Sequence, residues 1–321
     1  MRDRQQLDAL LALLIEAGRP SSMSLPRPEG LRNFTELAQW LAGPATGPAG
    51  EDLTIAGPAG DALPLRVYRP DPGPEAGSGA VPAPPVVTYF HGGGWVLGGL
   101  DSHERLCREL ASQSGAVLVA VDYRLAPEHP FPAGLDDCLA ATRWVAAHAA
   151  DHGADGSRQA VAGDSSGATL AAGVAAAARD LGGPPLALQA LAYPALDPSM
   201  STASYAQNAD DPFLSRAEME SYWSLYLGGA APGPLAAPAL ATSLAGLPPA
   251  YLLLAGRDVL RDEGAAYAER LGEAGVPVQV RRREEMVHGF LLCTQWLDAA
   301  RDGIAELAAV LRTSLHAART R

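Results

Sequence analysis

Residues 159–180 run Gln-Ala-Val-Ala-Gly-Asp-Ser-Ser-Gly-Ala-Thr-Leu-Ala-Ala-Gly-Val-Ala-Ala-Ala-Ala-Arg-Asp. A short apolar run ends at Gly163, and a small-residue helical run begins at about Ser166. The turn between them reads G-x-S-x-G. A serine on a sharp strand-to-helix turn needs small neighbours two residues to either side, and Gly163 and Gly167 supply them. The spacing therefore predicts that Ser165 projects above the carboxyl edge of a sheet, where open α/β sheets gather their sites. The competing use of this turn is helix capping by Ser165 or Ser166; the Ser166 N–H is able to face a reacting oxygen in either case.

Outward from this turn, apolar runs at 85–90, 116–122, 159–163, 187–193, 250–256 and 277–283 predict strands. Helical periods at 101–114, 134–149, 166–180, 260–274 and 298–315 alternate with them, the mark of βαβ units and a mostly parallel sheet. Upstream, 52–56 and 64–69 flank Gly57-Pro58-Ala59-Gly60 and predict an antiparallel hairpin at the sheet's edge. Helices at 5–17 and 33–42, separated by a Pro/Ser-rich break at 20–29, form a small preface. The connection from 197 to about 246 is too long for an ordinary βα loop and holds a helical, aromatic segment at 216–227, so it reads as an insertion with a functional purpose.

Composition agrees with a globular α/β chain: 321 residues, 48% apolar and 19% charged. Arg supplies all 24 positive charges against 36 acids, leaving a net charge of −12 and no basic patch for a phosphate backbone. Nucleic acid is not an expected partner. The absence of lysine excludes a P-loop NTPase, a Schiff-base enzyme and a serine enzyme built on S-x-x-K. Cys107, Cys138 and Cys293 are widely spaced and suggest neither a disulfide framework nor a zinc site. The apolar stretch at 9–15 is flanked by Asp3, Asp8 and Glu16, and reads as an amphipathic helix instead of a signal peptide. With no apolar run long enough to span a bilayer, a cytoplasmic protein without membrane insertion is expected.

Chemistry should sit just after the strands. The run 85–90 leads into His91-Gly92-Gly93-Gly94-Trp95, whose consecutive glycines let backbone N–H groups converge on a ligand, as in the oxyanion loops of lipases and esterases. Serine needs a general base within reach. Of the seven histidines, His148, His152 and His316 read as solvated, while His103 and His129 lie beside site loops but in the wrong chain order. His288 follows the last strand and precedes Gly289-Phe290, which leaves its ring free. The acid should lie between serine and histidine in the chain; Asp258, just past the strand 250–256, is the best placed. Asp262 and Glu263 are the alternatives, although both read as first-turn acids beside a helix dipole.

Taken together, His91-Gly92-Gly93-Gly94-Trp95, the segment Tyr123-Arg124-Leu125-Ala126-Pro127-Glu128-His129-Pro130-Phe131-Pro132-Ala133, Gly163-Asp164-Ser165-Ser166-Gly167, Asp258 with Asp262-Glu263, and Val287-His288-Gly289-Phe290 resemble the hormone-sensitive lipase family of α/β-hydrolases, in its bacterial family IV carboxylesterase branch. The resemblance spans about residues 45–318 and departs from the family mainly at Ser166 and Val259. It implies an α/β-hydrolase fold, a mostly parallel eight-stranded sheet flanked by helices, with a helical cap made by residues 1–45 and a segment inserted into the core of 46–321 at about 198–230. It further implies a triad of Ser165, Asp258 and His288, and oxyanion N–H groups from Gly93, Gly94 and Ser166, with no cofactor and no metal. The expected activity is hydrolysis of short- to medium-chain carboxylic esters through an acyl-enzyme, with a small ester and water as partners and a homodimer admitted. A non-catalytic small-molecule binding protein on the same fold and an interfacial lipase are the alternatives; the first is weakened by the presence of His288 and the second by the lack of a long amphipathic lid.

Overall fold

A computed structural model describes residues 2–18, 21–70 and 82–317, the last two by backbone alone. Its strands are β1 (Gly50–Ala56), β2 (Ala62–Tyr68), β3 (Pro85–Phe90), β4 (Val117–Val121), β5 (Asp155–Asp164), β6 (Leu186–Ala192), β7 (Ala250–Arg257) and β8 (Val278–Val287). They form one sheet in the order β1-β2-β4-β3-β5-β6-β7-β8. The first two pairings, β1 with β2 and β2 with β4, are antiparallel, and every later one is parallel. The eight-stranded, mostly parallel sheet and the hairpin at its edge are as the sequence predicts.

The helices are α1 (Arg2–Ala17), α2 (Arg27–Ala42), α3 (Glu104–Ser114), α4 (Ala133–His148), α5 (Ser166–Leu181), α6 (Ala203–Gln207), α7 (Arg216–Leu227), α8 (Arg261–Glu273) and α9 (Asp298–Ala317). They cover both faces of the sheet. Alternate residues of β4 therefore enter different cores: Val119 and Val121 join Leu135, Leu170 and Leu271, whereas Leu118 and Ala120 join Leu10, Leu110 and Leu307. This two-sided burial is why the central strands read as continuous apolar runs.

Two boundaries differ from the sequence reading for a physical reason. β5 starts at Asp155 because its pairing with β3 shifts between Pro85↔Asp155 and Val86↔Gln159, and the extra turn of chain is polar. β8 runs on past residue 283 through Glu284 and Glu285 to Val287, since an edge strand tolerates charge.

Helix α2 begins at Arg27, inside the stretch that reads as a Pro/Ser-rich break, with Pro28 in its first turn, where the missing N–H costs nothing. Its last turn is fixed by Arg105 Nη1, which donates to the carbonyls of Ala42 and Pro44 at 2.7 Å each, and by Thr294 Oγ1 to Ala42 at 2.8 Å. Its first turn is fixed by Arg27, which donates to the Ala126 carbonyl at 2.9 Å and pairs with Glu128. Helix α2 is thus pinned at both ends over the carboxyl edge of the sheet.

Candidate active site

The backbone at the end of β5 makes the turn that the G-x-S-x-G pattern predicts. Ser165 has φ 53° and ψ −125°, a region that costs a non-glycine residue about 1–3 kcal/mol. A Cβ on Gly163 would lie 2.5 Å from the Gly167 carbonyl carbon, and one on Gly167 would run into the Phe90 carbonyl oxygen. Only glycine fits at both places. The Ser165 N–H donates to the Ala192 carbonyl at 2.8 Å, which ties the turn to β6. Ser166 is the first residue of α5 and not its cap, and the Ser165 side chain makes no cap bond either.

His288 is the first residue after β8 and Asp258 the first after β7, two neighbouring strands, so topology alone brings them to the rim beside Ser165. His288 Nε2 lies 2.8 Å from Ser165 Oγ, and His288 Nδ1 lies 2.8 Å from Asp258 Oδ2. The other oxygen of Asp258 accepts the Leu260 N–H at 2.9 Å. Asp258 is 1% exposed and His288 8%, so the imidazole is the end of the line that faces the cavity. The edge of Tyr193 packs against the His288 ring at 4.9 Å.

The two alternative acids do other work. Asp262 accepts the Ser204 N–H at 2.8 Å and pairs with Arg261. Glu263 accepts the Leu196 N–H at 2.6 Å and is buried deeply enough that its carboxyl is pushed well above the usual range. Both acids stand in the first turn of α8, as the sequence predicts. Both acids fasten the segment after β6 to α8, and the Ser204 hydroxyl and Asn208 amide reach the carbonyls of Val259 and Asp258 at 2.6 and 3.1 Å. The acid loop and the insertion are therefore held together.

On the opposite side of Ser165 lies the glycine loop. Gly93 and Gly94 have φ of 125° and 62°, and a Cβ on Gly94 would overlap the ring of Tyr222. The bonds inside the loop run from the N–H groups of Val96 and Leu97 to the Gly93 carbonyl, at 3.1 and 2.8 Å. The N–H groups of Gly93 and Gly94 take no part in them. The His91 ring stacks on Tyr123 at 4.2 Å, and burial, aided by the neighbouring His103, pushes its pKa down to about 3. His91 is a neutral structural ring.

Ser165, His288, Gly93, Gly94 and Ser166 all line one cavity of about 140 Å³. Phe34, Leu37 and Leu41 of α2 form one wall, and Leu214, Met219 and Tyr222 of the insertion form another. Trp95 stacks on Tyr226 at 4.2 Å and lies 4.5 Å from Trp223, which makes the base of α7 a rigid aromatic block.

Among the described residues only one other histidine lines the cavity. His129 and His148 are exposed, His152 lies against Arg69, and the side chain of His316 is outside the described residues. His103 is the exception: it lines the cavity together with Asp164. The sequence reading sets His103 aside on chain order and gives Asp164 no role; the only signal for either is adjacency, one to a site loop and the other to Ser165. The three cysteines are free and buried. Among the described residues no helix is long and apolar enough to cross a membrane.

Known proteins resemble this chain in family and fold. A family described by the alpha/beta hydrolase fold matches residues 87–292. Esterase LipI of Mycobacterium tuberculosis is 46% identical over 269 residues, covering 83% of this chain and 82% of its own. An ethyl acetate hydrolase of Pseudomonas putida is 36% identical over 313 residues, covering 94% and 96%. The solved ester-hydrolase EH1AB1 from the metagenome of Lake Arreo has a TM-score of 0.90 at 38% identity, covering 98% of this chain and 99% of that one. The chain belongs to the α/β-hydrolase family, in the hormone-sensitive lipase branch of carboxylic ester hydrolases that its ordered motifs resemble.

Proposed function

We propose that the protein is a serine carboxylesterase that hydrolyses small esters of short- to medium-chain acids, with Ser165 as nucleophile, His288 as general base and acid, and Asp258 as the group that orients the imidazole. The observation that carries this assignment is the unbroken line from Ser165 Oγ through His288 to Asp258, at 2.8 Å per step, headed by a serine in a strained turn. His288 Nε2 takes the serine proton as Oγ attacks the ester carbonyl, and Asp258 stabilises the imidazolium that forms. His288 then gives the proton to the leaving alcohol. In the second half a water, deprotonated by the same ring, attacks the acyl carbon and releases the acid and Ser165. The N–H groups of Gly93, Gly94 and Ser166 hold the tetrahedral oxyanion, each contributing about 3–4 kcal/mol.

The preference for small esters rests on the apolar walls and on a volume below the roughly 300–1,000 Å³ of pockets that take drug-sized ligands. In this proposal residues 1–45, through α2, and about 198–230 act as the cap, since Leu37 of α2 and Met219 of the insertion line the same cavity. We take the enzyme to work in the cytoplasm, and self-association as a homodimer is read directly by sedimentation. The decisive experiment is intact-mass analysis after treatment with a sulfonyl fluoride. One adduct mapping to Ser165 is expected, with loss of ester turnover in the same proportion; labelling elsewhere overturns the assignment. A chromogenic ester series from two to sixteen acyl carbons should show the rate collapsing once the chain outgrows the space between α2 and α7.

A further inference from the structure

Behind the glycine loop lies a second buried histidine–aspartate pair, which the mechanism above leaves unused. Asp164 precedes Ser165 in the chain, and its Oδ1 accepts the Gly92 N–H at 3.0 Å and the Tyr89 hydroxyl at 2.7 Å. His103 Nε2 lies 3.2 Å from the same oxygen and 3.3 Å from the Gly92 nitrogen. On its other side His103 Nδ1 meets Ser102 Oγ at 2.8 Å, and Ser102 closes on the Gly99 N–H and carbonyl at 3.1 and 2.9 Å. Asp164 and His103 are 2% and 1% exposed.

The position of these bonds matters more than their number. Gly92 immediately precedes the two glycines that line the cavity beside Ser165, so a bond at Gly92 fixes the start of the proposed donor segment. Ser102 and His103 fix the chain beyond it. A run of three glycines has no side chains with which to hold its own shape, and a donor displaced by a fraction of an ångström loses much of its effect on a developing oxyanion. Both nitrogens of His103 are engaged, Nδ1 by Ser102 and Nε2 by the Asp164 carboxylate, while the Gly92 N–H goes to Asp164 Oδ1, so this ring is not a second base.

We propose that Asp164 and His103 are positioning residues that lock the oxyanion loop to the nucleophile turn, holding the Gly93 and Gly94 N–H groups at a fixed separation from Ser165 Oγ. The proposal rests on the ester-hydrolase mechanism above and adds to it the device that sets the donor geometry.

The test compares substrate kinetics with the affinity for an alkyl trifluoromethyl ketone, which adds to the serine and places an oxyanion in the hole. Asp164→Ala should lower kcat by about 10²-fold, on the scale of a lost oxyanion donor, with KM within threefold. Its affinity for the ketone should fall by the same factor. Asp164→Asn, which keeps an acceptor for the Gly92 N–H, should recover turnover to within about tenfold of wild type. Should Asp164→Ala not fold, Asp164→Asn and His103→Gln carry the test: each should lose kcat and ketone affinity in equal proportion at unchanged KM. Turnover within twofold of wild type in both, or a loss of kcat with ketone affinity untouched, overturns the positioning role. A wild-type enzyme that neither hydrolyses esters nor labels at Ser165 overturns the underlying mechanism and this proposal together, whereas an active wild type with indifferent variants defeats only the proposal.

Discussion

Two histidine–aspartate pairs flank the same serine, and they differ in what the imidazole is free to do. In the pair of His288 and Asp258 the acid is fully buried, it grips one ring nitrogen, and the other nitrogen is left to reach Ser165 Oγ at 2.8 Å. In the pair of His103 and Asp164 the ring is committed on both sides, to Ser102 and to the carboxylate. The carboxylates differ as well. Burial is the largest influence on Asp164 and raises its pKa, but His103 and the bond from the Tyr89 hydroxyl outweigh it, so the group rests below the usual carboxylate range. The same two side chains leave a nitrogen free to reach the serine in one pair and none in the other.

The largest effect that can break this comparison is His288→Ala set against His103→Ala. Removing a triad histidine costs on the order of 10⁶ in kcat where it has been measured, and His288→Ala should lose activity on that scale. His103→Ala should lose about tenfold, because donor geometry loosens while proton transfer survives. Equal losses, measured as kcat with a chromogenic acetate ester, would mean that the two rings share the proton work.

Next comes the acid. Asp258→Asn should lower kcat by about 10⁴-fold, because an amide facing Nδ1 favours the wrong tautomer. Asp262→Asn should cost less than tenfold, since its oxygens serve Ser204 and Arg261. A comparable loss from both would move the orienting role from Asp258 to the start of α8. Gly94→Ala sharpens the contrast from the loop side. It touches neither pair, yet its φ of 62° and the Tyr222 ring force the loop to shift, so kcat should fall about 10²- to 10³-fold at nearly constant KM. Near-wild-type kcat would mean that Gly94 supplies no donor.

How much of this is legible in the sequence follows from what sequence patterns encode. The turn at Ser165 declares itself because sterics admit only glycine at positions 163 and 167. His288 and Asp258 follow from strand ends, which apolar runs mark well. What the sequence hides is polar and non-local. The extension of β8 beyond residue 283, through Glu284 and Glu285, has no apolar signature on an edge strand. Helix α6 is only five residues long and is held by Ser204 bonds to α8 and its preceding loop. His103 fails a rule of chain order that tests for one role only, so nothing in its position announces that it faces Asp164 across 61 residues.

The smallest expected effect concerns a third buried acid, Glu263, whose pKa is raised where that of Asp164 is lowered. Burial, opposed by the bond from the Leu196 N–H and reinforced by the charge of Asp197, raises its pKa well above that of an exposed glutamate. The folded state therefore keeps a proton that the unfolded chain gives up near pH 4.3. Stability from this group is complete below that pH and declines as pH rises toward the folded value, at up to about 1.4 kcal/mol per pH unit. Glu263→Gln keeps the size and an acceptor for Leu196 but has no proton to lose. The variant should thus gain on the wild type as pH rises from 5 to 8 in urea denaturation, whatever its offset at pH 5. A difference that stays flat over this range would mean that Glu263 is ionised in the fold, and would put a second buried anion beside Asp258 at the bond that ties α8 to the Leu196 N–H.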